Sequence, residues 1–105
     1  MTSEWQRLRE QLVPYIGERA VSLLSYAIAD ASGDEQASAR LRSALIDSGE
    51  DPDAPQVTEA EQLLIDWGRS VAGPAGEVPA GMTARLEAAF KPQLRALLAA
   101  FAAQR

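Results

Sequence analysis

The stretch VSLLSYAIADASGDEQASARLRSAL, Val21 to Leu45, decides the fold. Its apolar residues recur at helical spacing on both sides of one glycine. Val21, Leu24, Ala27, Ile28 and Ala31 form one stripe, and Ala37, Leu41, Ala44 and Leu45 form a second. Gly33 suits the left-handed residue that commonly ends a helix. Asp34 and Glu35 then put negative charge at the positive end of the next helix dipole. The spacing predicts a helix from about Glu18 to Ser32, a stop, and a restart from about Asp34 to Asp47, closed by Gly49.

The flanking sequence continues the same pattern. Upstream, Ser3 is a candidate cap with Gln6 reaching back to it, and Trp5, Leu8 and Leu12 share a face until Pro14 and Gly17 break the spacing. Downstream, residues 48 to 57, SGEDPDAPQV, have the composition of an exposed connection that packs against nothing. Thr58 and Glu61 form a capping-box pattern ahead of Leu63, Leu64, Trp67 and Val71, a helix expected to reach Gly73. After the loop GPAGEVPAG, a short helix carries Met82, Leu86, Ala89 and Phe90 and stops before Lys91, because Pro92 disfavours helical geometry in its predecessor. Pro92 opens a last helix with Leu94, Leu97, Leu98 and Phe101 inward and alanines on its other faces. No period-two run suggests a strand, so the expected fold is all-α: about six helices in a single domain spanning 1–105.

Composition narrows the chemistry. The 105 residues suffice for one core without disulfides. The net charge of −5, with ten basic residues scattered along the chain and all but one of them Arg, argues against a nucleic-acid partner. The chain has no Cys and no His, which removes thiol redox catalysis, imidazole-based nucleophilic sites and zinc-finger or haem ligation. No cofactor or metal is expected. No apolar run approaches a membrane span and MTSEWQRLREQ lacks the apolar centre of a signal peptide, so the expected location is cytoplasmic.

Carboxylates, hydroxyls, Tyr, Lys and Arg remain as candidates. Glu50, Asp51 and Asp53 offer oxygens to a hard cation, but without the ligand order of a calcium loop they read as a solvated connection. Asp34 and Glu35 are candidates for paired acid–base work, although adjacent helical residues do not share a face and capping is the plainer role. Arg40 and Arg42 are candidates for binding a carboxylate or phosphate, while Trp5, Tyr15, Tyr26 and Trp67 are candidates to line an apolar pocket.

Two stretches carry a family resemblance. Val21 to Leu45 is similar to an apolar helix ending in Gly, followed by a helix that in the family opens with Cys-x-x-Cys and runs through a His to an Ala-Leu pair. Val57 to Phe90, VTEAEQLLIDWGRSVAGPAGEVPAGMTARLEAAF, is similar to the capped helix with a Glu-x-Leu-Leu core, proline-containing loop and Leu-containing helix that follow. In order and spacing the chain resembles the AhpD-like, or carboxymuconolactone decarboxylase-like, family of all-α proteins.

In its peroxidase branch that resemblance implies a thiol pair, two histidines and an upstream glutamate. Anchored without gaps at Gly33, the cysteine positions fall on Asp34 and Ala37, the histidines on Gln36 and Leu41, and the glutamate on Ser22. All five identities are replaced. The histidine of the decarboxylase branch falls near Arg40, and a guanidinium that stays protonated is no proton shuttle near neutral pH.

The expectation is therefore a catalytically degenerate member, without thiol peroxidase activity, acting as a homo-oligomeric binding or structural module, a dimer or larger. Arg40, Asp34 and Glu35 are its ligand-binding candidates. Two alternatives stay open. One is a non-thiol decarboxylase-like enzyme in which Arg40 holds a small anionic substrate and Asp34, Glu35 or a Tyr moves the proton. The other is an unrelated helical adaptor that meets a protein partner through its Ala-rich last helix.

Overall fold

The computed structural model describes residues 4–54, 56–74 and 76–103. Among them lie six helices and no strand: α1 (Glu4–Ile16), α2 (Glu18–Ser32), α3 (Glu35–Asp47), α4 (Glu59–Ala72), α5 (Ala80–Ala89) and α6 (Pro92–Ala102). The cap expected at Ser3 lies outside the described residues.

α2 is the central element because it is apolar on more than one side. Val21, Leu24 and Ile28 face a main cluster shared with α1, α4, α5 and α6. Leu23, Tyr26 and Ala27 face a second cluster with Leu45 of α3 and Ile65 of α4, against which Leu41 and Val57 pack. The closest packing is between α2 and α4, where Gly68 lets the helices approach until a Cβ there would lie 2.7 Å from Leu24 Cδ1. α1 packs on α6, with the Trp5 and Phe101 rings stacked at 5.5 Å between centroids.

The α2–α3 junction follows from two residues. Gly33 adopts φ +80°, and the amides of Gly33 and Asp34 donate to the carbonyls of Asp30 and Ala29, closing α2. Asp34 Oδ1 then accepts from the Ala37 amide at 3.0 Å, opening α3. Asp34 thus ends one helix with its backbone and starts the next with its side chain. At α4 the expected capping box is complete: Thr58 Oγ1 accepts from the Glu61 amide and Glu61 Oε1 from the Thr58 amide.

α1 runs through Pro14 to Ile16 and ends at Gly17, whose amide donates to the Val13 carbonyl. Pro14 sits on the exposed side of the last turn. Two local expectations need correction. In α3, Ala44 is exposed rather than inward. The helix has one extensive neighbour, α2, so its inner stripe narrows to Ala37, Leu41 and Leu45. The 48–57 connection also packs: Pro52 is buried and Val57 contacts the second cluster. Among the described residues no helix is long and apolar enough to cross a membrane.

Candidate functional site

Grooves flank α3 on both sides. The larger, about 580 Å³, lies between α2 and α3 and is closed off by Trp5 of α1 and Phe101 of α6. Ile28, Ala29 and Leu41 supply its apolar surface, Ser25 and Ser32 its hydroxyls, and Asp34 and Arg40 its charges. The smaller, about 390 Å³, runs along the opposite side of α3 past Arg19, Ser22, Ala44 and Glu50, with Leu41 common to both.

The predicted site residues separate. Asp34, Ala37, Arg40 and Leu41 come together at the larger groove. Ser22 lines the smaller one and its hydroxyl accepts from Arg9 at 3.1 Å, so the five replaced family positions form no single cluster. Glu35 and Gln36 are exposed and line neither groove, which follows from their positions around the first turn of α3. Of the aromatic candidates, Trp5 lines the larger groove, Trp67 and Tyr26 are buried in the clusters, and Tyr15 is exposed.

The polar groups at the larger groove differ in how far they are already engaged. Ser25 donates to the Val21 carbonyl at 2.7 Å and Ser32 to that of Ala29 at 3.1 Å. Asp34 is occupied as a cap. Arg40 is exposed and, among the described residues, has neither a hydrogen-bond partner nor a carboxylate within 4.0 Å.

Arg42 behaves differently. Its two terminal nitrogens grip Asp53 at 2.7 and 2.6 Å, and one also reaches the Tyr26 hydroxyl at 3.2 Å. These bonds raise the Arg42 pKa and hold the Asp53 carboxyl below the usual carboxylate range. Arg42 therefore binds a carboxylate of its own chain. Arg19, which sequence reasoning passed over, grips Glu50 at 2.6 and 3.1 Å, reaches Glu61 at 3.1 Å and donates to the Gln56 carbonyl. Glu61 is lowered chiefly by the Thr58 amide and further by Arg19, against an opposing effect of burial.

The acidic 48–57 segment is thus strapped to α2 and α3 by two arginines. Of the three acids weighed as cation ligands, Glu50 and Asp53 are ion-paired and Asp51 Oδ1 accepts the amides of Asp53 and Ala54. Among the described residues, no group of three or more Asp and Glu is arranged to hold a metal ion.

Comparison of the chain with family models, curated proteins and solved structures finds no match.

Proposed function

We propose that the chain is an AhpD-like helical binding module without thiol chemistry, and that the groove between α2 and α3 is its binding site. The observation that carries this reading is the convergence of four helices on one concave surface. Trp5, Ile28, Leu41 and Phe101 make it apolar, and Arg40 stands at it without an ionic partner among the described residues. Small-molecule sites combine such apolar walls with a few placed polar groups, and about 580 Å³ falls within their usual range. The absence of Cys supports a binding rather than a peroxidase role, since neither Asp34 nor Ala37 can form a disulfide.

The decarboxylase-like alternative has lost most of its acid–base groups. Of Asp34, Glu35, Tyr15 and Tyr26, only Asp34 lines the groove, and its Oδ1 is committed to the Ala37 amide. The reading includes self-association into at least a dimer, which would cover apolar side chains such as Ile46, 53% exposed on α3, or Ala96 and Ala99 on α6. Light scattering that returns only monomer at micromolar concentration removes that part of the proposal.

The binding reading is tested by amide and indole NMR shifts of the whole chain against a library of small apolar fragments. Expected are saturable shifts centred on Trp5, Ser32, Ala37 and Leu41 that disappear in Ala37→Trp, which fills the groove from α3. Shifts centred elsewhere, or none at all, overturn the reading.

A further inference from the structure

We infer that the groove takes a singly charged carboxylate with an apolar body, its head on Arg40 and its body against Ile28, Leu41 and the Trp5–Phe101 stack. The inference rests on that groove being the binding site.

Among the described cations, Arg7, Arg19, Arg42 and Arg95 each have a carboxylate of this chain within 4.0 Å. Arg9, Arg40, Arg69, Arg85 and Lys91 have none, and of all the described cations Arg40 alone lines the groove. The second charge there, Asp34, stays negative but is partnered: it sits at the positive end of α3 and accepts the Ala37 amide. The charge at the groove with no partner among the described residues is therefore the positive one. A guanidinium presents paired N–H donors in a plane that matches a carboxylate.

The head is singly charged for two reasons. Asp34 lines the same groove and the whole chain carries −5, so each further negative charge on a ligand adds repulsion. A dianionic phosphate monoester is disfavoured on both counts. The body is apolar because Ser25 and Ser32 spend their hydroxyl protons on Val21 and Ala29. They have no proton left for acceptors along the ligand, and Trp5, Ile28, Ala29, Leu41 and Phe101 offer it hydrocarbon and aromatic ring.

Four eight-carbon probes separate the contributions, read by NMR shifts at Trp5, Ala37 and Leu41: octanoate, octan-1-ol, octylammonium, and octyl phosphate at about pH 8, where it is mainly dianionic. Octanoate is expected to bind at least about tenfold more tightly than the other three, the discrimination of one charge-assisted contact. Arg40→Gln should abolish that preference while leaving the melting temperature unchanged, since Arg40 holds nothing in the fold. 2-Naphthoate distinguishes two sources of the same chemistry: tighter binding than octanoate assigns an aromatic acid, weaker binding an aliphatic one.

Equal binding of octan-1-ol, tighter binding of octyl phosphate or octylammonium, or a preference that survives Arg40→Gln overturns the ligand class. Each of these outcomes leaves the groove as a binding site. If fragments shift the groove resonances while octanoate and 2-naphthoate do not, the class again fails alone. If no compound shifts them, the groove reading falls with it.

Discussion

Replacing Gly68 by Ala sets two effects of opposite sign against each other. On an exposed helix face the change would stabilise by about 1 kcal/mol through helix propensity. At Gly68 the added Cβ meets Leu24 Cδ1 at 2.7 Å, Ile28 Cγ1 at 3.3 Å and Ala27 Cβ at 3.8 Å. Only the last of these is an ordinary carbon–carbon distance. Leu24 is fully buried and Ile28 nearly so, leaving little room for either side chain to swing away. Overpacking of this kind costs about 1–3 kcal/mol, and close packing on two sides argues for the upper part of that range.

The expected net effect of Gly68→Ala is a loss of about 1–2 kcal/mol, or roughly 5–15 °C in Tm for a domain of this size. Far-UV circular dichroism followed through thermal and urea unfolding measures it. A double-mutant cycle isolates the cause. Leu24→Ala alone costs about 2–5 kcal/mol. In that background, with the 2.7 Å contact gone, Gly68→Ala should be neutral or stabilising by up to about 1 kcal/mol. A Tm for Gly68→Ala equal to or above that of the parent, or simple additivity in the cycle, refutes the claim that Gly68 is there for close approach of α4 to α2.

Three further outcomes test the local readings. Thr58→Ala removes half of the capping box on α4, the helix packed most extensively on α2, and should lower global stability by about 1 kcal/mol in urea unfolding. Asp34→Ala removes the cap of α3, a helix that buries only Leu45, so faster amide exchange confined to the first turns of α3, with little change in Tm, is the expected result. Asp53 and Glu61 have folded pKa values below their unfolded ones, so their stabilisation is complete above the unfolded value of about 4 and is lost as pH falls through the folded value. The urea midpoint should hold from neutral pH to about 5 and decline below about 4, less steeply in Asp53→Asn; a decline no shallower in that variant contradicts the strap.

The helices were legible wherever a stripe or a cap announced them. α2 and α4 could be read because each carries apolar residues at three- and four-residue spacing and ends on a recognisable signal, Gly33 for one and the Thr58–Glu61 pair for the start of the other. Gly68 was overlooked, although a glycine inside so regular a helix is itself a sign of close packing. The strap was invisible for a different reason. Arg19 lies 31 residues from Glu50 and 42 from Glu61, and no periodicity says which helices become neighbours. The groove depends on the same information, because Trp5 and Phe101 meet only once α1 is laid on α6.

Arg40 and Arg42 show how far local geometry carries once one neighbour is known. In the sequence both are candidates for an anion, two positions apart, and the family resemblance singles out Arg40. On an α-helix two residues are about 200° apart around the axis, so when α3 lies against α2 they must leave on different sides. Arg42 falls on the side of Tyr26 and the acidic connection, where Asp53 occupies it; Arg40 falls on the side of the larger groove, where none of the described residues does. The two substitutions should therefore separate by readout. Loss of Arg42 is a stability change that low pH mimics, whereas loss of Arg40 leaves the fold intact and registers in ligand binding.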